Sequence, residues 1–223
     1  MTAVIAMIPA RMGSQRLKRK NLRELGGIPL ITRAIRKCKA ANMFSEVWVN
    51  SEGEHFRAIA EAGGARFHAR PPRWANDTAT SEDFVAEFLE AHQCEFVVQV
   101  HSIAPLATVD DIHHFVQELK TDQYDCLLSA EPIQIECAYE GQPVNFRLDR
   151  KENSQDLRPV QRISWSLTAW RRRAFLAAAA DGRCATYAGR VGYFQMSRFA
   201  SHVIKTEEDL QVAAALLPLV PGA

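Results

Sequence analysis

The run Ala3-Val4-Ile5-Ala6-Met7-Ile8-Pro9, continued by Ala10-Arg11-Met12-Gly13-Ser14-Gln15-Arg16-Leu17-Lys18-Arg19-Lys20-Asn21, decides how the chain is read. Its first seven residues are almost all apolar, the pattern of a strand covered on both faces. The strand breaks into a loop that carries one glycine, one serine, one asparagine and five cations. Open α/β sheets hold phosphates where apolar strands end in loops of this kind. A solvated basic loop that merely ends a strand is the competing reading, and composition alone does not separate the two. The glycine spacing matches neither a P-loop nor a dinucleotide fingerprint.

Working outward, the alternation of short apolar runs with amphipathic stretches continues. Gly26 and Gly27 make a turn, and residues 30–41 have helical spacing, with Leu30, Ile31, Ala34, Ile35 and Cys38 inward. Arg33, Arg36, Lys37 and Lys39 are expected on a solvated face. A strand over 46–50 leads to a helix through Phe56 and Ile59 that stops at Gly63-Gly64, and a strand follows at 66–68. Asp77 to Asp83 offers several helix caps before a helix through Phe84, Val85, Phe88 and Leu89. Residues 95–100, 110–119 and 125–129 read as strand, helix and strand. This is the pattern of a doubly wound, mostly parallel sheet, whose ligands bind beyond the carboxyl ends of the strands. From 131 to 162 the alternation fails and an arm is expected to leave the sheet. Residues 163–170 resume strand character, 171–180 form a helix with Arg171, Arg172 and Arg173 on a solvated face, and 187–194 form a strand. Thr206 opens a last helix that Pro218 and Pro221 stop.

At 223 residues the chain fits one α/β domain, 1–223, with the arm as an embellishment. A formal net charge of +1 gives no global field for nucleic acid or a membrane surface, so any anion preference is local. The five cysteines are scattered and odd in number, which argues against a disulfide framework and a structural zinc site. Reduced thiols in a cytoplasmic protein are the expectation. No apolar run is long enough for a signal or a membrane span, so a soluble chain is expected.

The order Pro9-Ala10-Arg11-x-Gly13-Ser14-x-Arg16, followed by Lys20-Asn21, resembles the signature of the CMP-sugar synthetases. These cytidylyltransferases activate sialic acid and related acidic sugars. The resemblance implies a Rossmann-like nucleotidyltransferase fold and a nucleotide-binding role for Ala10, Arg11, Gly13, Ser14, Lys20 and Asn21. A second patch, Arg70-Pro71 followed by Asp77-Thr78-Ala79-Thr80-Ser81, is similar to the family's cytidine-holding segment. It adds Arg70 and Ser81, with Thr80 in place of the family's first serine. Chemically the loop is apt, because transfer from an α-phosphate needs positive charge and donors held where charge develops.

Other patches depart from the family. After the central strand, Val100-His101-Ser102-Ile103-Ala104-Pro105-Leu106-Ala107 stands where a Gln and an Arg are usual. This loop is expected to face the second substrate, with Gln99 and His101 among the acceptor-binding residues. His101 reads equally well as a substrate partner, a general base near neutral pH or a structural histidine. Arg162 is kept, while Ser164-Trp165 replaces Asn-Gly, and both Arg162 and Trp165 are assigned to the acceptor. The family's Asp-Ile-Asp-Thr, whose aspartates hold Mg²⁺, is here Val203-Ile204-Lys205-Thr206. Lys205 cannot ligate a hard cation. It can pair directly with the triphosphate or an acceptor carboxylate, and it joins Arg11 and Lys20 as a catalytic candidate.

The resemblance therefore implies a CTP-dependent cytidylyltransferase that joins CMP to an acidic sugar and releases pyrophosphate. Mg²⁺ is expected with the CTP, without its usual protein ligands, and the partner is expected to be a second copy of the chain met through the arm. Two alternatives stand beside it. One keeps the fold with another acceptor or nucleotide. The other is a non-catalytic nucleotide-binding homologue that has lost its metal site.

Overall fold

A computed structural model describes residues 3–76 and 78–223. Its first strand, β1 (Val4–Pro9), lies in the interior of the main sheet and is buried along both faces. The other strands of the main sheet are β4 (Glu46–Ser51), β5 (Arg66–Ala69), β6 (Phe96–Val100), β7 (Cys126–Ile133), β10 (Val160–Arg171) and β11 (Val191–Gln195). Two small hairpins complete the strands, β2 (Glu24–Leu25) with β3 (Ile28–Pro29) and β8 (Ala138–Tyr139) with β9 (Gln142–Pro143). The seven-stranded sheet runs β11-β7-β10-β6-β1-β4-β5, and every neighbouring pair is parallel except those of β10, which is antiparallel to β6 and β7.

Strand alternation decides which helix meets which face. Val4, Ala6 and Ile8 of β1 pack with α1 (Leu30–Ala41), α2 (His55–Ala62) and α4 (Val109–Leu119) through Ile31, Ile35, Phe56 and Phe115. Ile5 and Met7 face the other way, toward Phe88 of α3 (Ser81–Ala91) and Phe175 of α5 (Arg172–Ala180). Each of these aromatic and aliphatic side chains gains roughly 1.5–3 kcal/mol on leaving water. A third cluster seats α6 (Glu207–Leu216) on the β2–β3 hairpin through Leu25, Leu30 and Leu210. Three helices, α3, α4 and α6, begin with a reciprocal capping box, Thr80 with Asp83, Thr108 with Asp111 and Thr206 with Asp209.

The arm is shorter than the sequence implies. Residues 131–133 and 160–162 are paired strand, with Val160 opposite Ile133 and Arg162 opposite Glu131, so the excursion covers 134–159. Apolar alternation is weak there, and the pairing joins residues about thirty apart, which periodicity cannot register. β10 is interrupted between Ile163 and Thr168, where Trp165 takes a left-handed φ of 60°. Serine hydroxyls hold the break: Leu167 N–H donates to Ser129 Oγ (3.0 Å), which also lies 2.8 Å from Ser164 Oγ. The last strand starts at Val191 rather than 187, and Pro218 sits inside a short 3₁₀ turn after α6.

Of the cations expected in water, Arg36, Lys39 and Arg173 are exposed, but Lys37 and Arg171 are buried and Arg33 is half-buried. Lys37 is buried, and its ammonium donates to the carbonyl oxygens of Pro105 (2.7 Å) and Ala107 (2.6 Å). Arg33 donates to Leu25 O. Arg171 is 4 % exposed, stacks on Phe96 at 4.2 Å and is ringed by Asp125, Glu95 and Asp122. Of the cysteines, Cys38 and Cys126 are buried and Cys184 is exposed, and all five are free thiols. Among the described residues no helix is long and apolar enough to cross a membrane.

Burial pushes the Lys37 pKa down to about 8, from 10.5 in an unfolded chain. Lys37→Met leaves two buried carbonyls without a donor, and urea unfolding at pH 7 should show a loss of about 2–4 kcal/mol. Between about pH 8 and 10 the unfolded chain binds the Lys37 proton and the folded chain does not, so this lysine's contribution rises with pH. The gap between wild type and Lys37→Met should widen over that window.

Candidate active site

The basic loop leaves β1 at the carboxyl end of the sheet and is fixed by its neighbours. Ala10 N–H donates to Asn50 O (3.0 Å) and Met12 N–H donates to Glu52 Oε1 (2.8 Å), so the end of β4 sets where the loop starts. At its far end Asn21 is 5 % exposed. Its amide nitrogen donates to Arg11 O (3.2 Å), and its oxygen accepts from the Ser102 hydroxyl (2.8 Å). Asn21 therefore ties the loop to the one after β6 and spends its side chain doing so. Arg11 Nη1 reaches Asn76 O at 3.5 Å, which spans the cleft toward the segment before α3. A Cβ on Gly13 would meet nothing within 4 Å, so the protein itself does not demand a glycine at this point.

Between these loops lies a cavity of about 560 Å³. Of the nucleotide candidates, Ala10, Arg11, Ser14, Lys20, Asn21, Arg70 and Ser81 line it, and Gly13 does not. Arg70 comes from the segment after β5 and Ser81 from the first turn of α3. Arg70 is 4 % exposed, with Nε on Asn50 Oδ1 (2.7 Å), Nη2 on Asn50 O (2.8 Å) and its guanidinium 4.2 Å from the Phe84 ring centre. Burial pushes its pKa down to about 10, which leaves it charged at neutral pH. Burial, then Arg16, Arg11 and Lys205, depress the Lys20 ammonium. Cations crowded in this way gain most from a polyanion placed among them.

A second cavity of about 360 Å³ adjoins the first, and His101 and Ile103 line both. Arg162 and Trp165, expected at the acceptor, lie here together with the catalytic candidate Lys205. Arg162 is held by an ion pair with Glu131 from the facing strand. Gln99, also assigned to the acceptor, instead lines the first cavity with the nucleotide candidates. Its amide nitrogen faces His101 Nε2 at 2.5 Å. Burial, and then the Lys20 charge, push the His101 pKa down to about 4. The ring is neutral at pH 7, and a nitrogen of such low basicity does not suit a general base.

The donor set of the described residues does not fit a protein-held divalent cation. Among the described residues no three His, Cys, Asp or Glu side chains converge as ligands. Asp209, the carboxylate in the second cavity, accepts from the N–H groups of Lys205 and Thr206 and from the Thr206 hydroxyl. Burial alone would raise its pKa, and these donors hold it below the usual range. Asp77 of the second sequence patch lies outside the described residues.

Sequence reasoning missed Asn50, Glu52, Ser102 and Phe84. The first is fully buried and holds both Ala10 and Arg70. An asparagine ending an apolar strand was the available signal, because a buried amide must find partners.

A family model described as cytidylyltransferase matches residues 5–216. The chain is 31 % identical over 127 residues to N-acylneuraminate cytidylyltransferase A of Danio rerio, covering 56 % of this chain and 30 % of that protein. It is 33 % identical over 145 residues to N-acylneuraminate cytidylyltransferase of Escherichia coli, covering 60 % of this chain and 33 % of that one. The chain thus spans about a third of the length of these relatives. The structure is similar to that of CMP:2-keto-3-deoxy-manno-octonic acid synthetase complexed with CTP, with a TM-score of 0.74 at 16 % identity, covering 98 % of this chain and 99 % of that one.

Asn50→Leu removes the acceptor of a buried guanidinium and should lower unfolding stability by about 3 kcal/mol. Asn50→Asp keeps an acceptor and adds a counter-charge, so urea midpoints should show a smaller loss.

Proposed function

The chain belongs to the cytidylyltransferase family, and on that premise we propose that it transfers CMP from CTP to an acidic sugar and releases pyrophosphate. The observation that carries this reading is the convergence in one cavity of the basic loop (Arg11, Ser14, Lys20) with Arg70 and Ser81 from two other segments. The second cavity, cationic through Lys205, adjoins it across His101 and Ile103 and would take the acceptor. The names of the relatives point to nonulosonic or ulosonic acids as the acceptor class.

In the proposed reaction an acceptor hydroxyl oxygen forms a bond to the α-phosphorus of CTP. The bond from that phosphorus to the oxygen bridging the β-phosphate breaks, and pyrophosphate leaves with the electron pair. The hydroxyl proton passes to water. The triphosphate lies on Arg11, Ser14 and Lys20, where bidentate and charge-assisted hydrogen bonds stabilise the departing pyrophosphate. Arg70, held rigid by Asn50, and Ser81 bound the cytidine side. Mg²⁺ would enter as the counter-ion of the triphosphate, carried by its phosphates and water. We place the contact with a second copy of the chain at the arm, 134–159, which exposes Ile135, Tyr139 and Leu148.

Pyrophosphate release from each of the common NTPs, with a panel of nonulosonic and ulosonic acids, tests the reading. Turnover should require CTP. Turnover with another NTP would move the chain to a different nucleotide, and CTP binding without release under any acceptor would mark a non-catalytic homologue. Arg11→Ala should weaken CTP binding at least about tenfold by calorimetry, the loss of one charge-assisted hydrogen bond or more. Unchanged affinity would take the loop out of the site. With His101 neutral, the rate profile should carry no inflection near pH 6.5 that His101→Gln removes.

A further inference from the structure

We infer that Lys205 works with Lys20 as a pair of cations at the wall between the two cavities, a protein-supplied charge where, among the described residues, no carboxylate cage for a divalent cation is found. This rests on the reading of those cavities as nucleotide and acceptor clefts. Lys205 lines the second cavity and Lys20 the first, and the charge of Lys205 is felt at Lys20. The approach is imposed by the backbone: Ile204 N–H donates to Ile103 O at 2.8 Å, which pins the Lys205 segment to the loop lining both cavities.

The Lys205 side chain is exposed. It directly precedes Thr206, the N-cap of α6, so its charge stands at the positive end of a helix dipole. Three carboxylates, Glu207, Glu208 and Asp209, follow within four residues and offset part of that charge. Glu207 pairs with Arg23 at 2.6 Å, Asp209 is spent on the cap, and Glu208 is exposed. Like charges held together against the helix dipole weaken the empty protein and are repaid when an anion enters. The anion at this wall is the α-phosphate with its departing pyrophosphate, because both substrates must meet there. Charge develops on these oxygens as the bridging bond breaks, so a cation fixed beside them lowers the barrier more than it tightens ground-state binding.

The test compares wild type with Lys205→Met and Lys205→Arg. Without ligand, the thermal midpoint of Lys205→Met should stay at or above wild type. The midpoint shift given by CTP or by inorganic pyrophosphate should shrink. In turnover kcat should fall at least about 100-fold, with the KM for CTP within about threefold, and Lys205→Arg should recover most of the loss. A Lys205→Met enzyme within threefold of wild-type kcat, or one whose midpoint falls in the empty protein while the pyrophosphate shift is unchanged, would overturn the inference. The binding arm uses CTP and pyrophosphate alone. A wild type that never releases pyrophosphate therefore defeats the functional reading, while the midpoint shifts still judge Lys205.

Discussion

Asn50 is the constraint on which the site depends. It is fully buried at the end of β4, between β1 and β5, and it spends its groups on both neighbours. Its carbonyl accepts from Ala10 N–H and from Arg70 Nη2, and its side-chain oxygen accepts from Arg70 Nε. One residue thereby fixes the first backbone amide beyond β1 and a guanidinium that burial would otherwise make costly. The start of the basic loop and Arg70 are held in one frame through shared acceptors, and neither can shift without orphaning a buried donor. Asn21 repeats the device on the other side, joining the loop to Ser102 after β6.

The fold was largely legible because it is written in local periods. β1, α1 and the capped helices follow from apolar spacing and from Thr-x-x-Asp strings, signals that lie within a few residues of where they act. What escaped depends on partners far along the chain. Lys37 follows Ala34 by three and precedes Ala41 by four, at the margin of the buried stripe of α1. Spacing alone sends a lysine there to water, and only the loop around Pro105 and Ala107 supplies the carbonyls that draw it in. Arg171 is similar, since Asp122 and Asp125 approach it from about fifty residues away. The ends of the arm were misread for the same reason, because a ladder between 131–133 and 160–162 has no local signature.

The candidate site divides along the same line. The residues expected at the nucleotide are gathered into one cavity, Gly13 excepted: the loop that leaves β1 carries most of them in sequence order, and Arg70 and Ser81 reach it from two other segments. The second cavity is built from three separate segments, around His101, Arg162 to Trp165 and Ser201 to Asp209, so its membership is a tertiary fact. Gln99 shows how fine the division is. It lies two residues before His101, and its side chain projects from the same face of β6 into the first cavity rather than the second.

His101 stands where the two halves meet, and its protonation state follows from its position. A histidine proton beside Lys20 would add a further charge to a cluster already holding Arg11, Arg16 and Lys205, and burial removes the water that could screen it. Both effects act in one direction, so the ring remains neutral down to about pH 4 beside the Gln99 side chain. A neutral ring between two cationic cavities is a wall of low charge. It adds no third cation to the charges of Lys20 and Lys205 on either side of it. A nitrogen of such low basicity does not suit the general-base role that the sequence left open for His101.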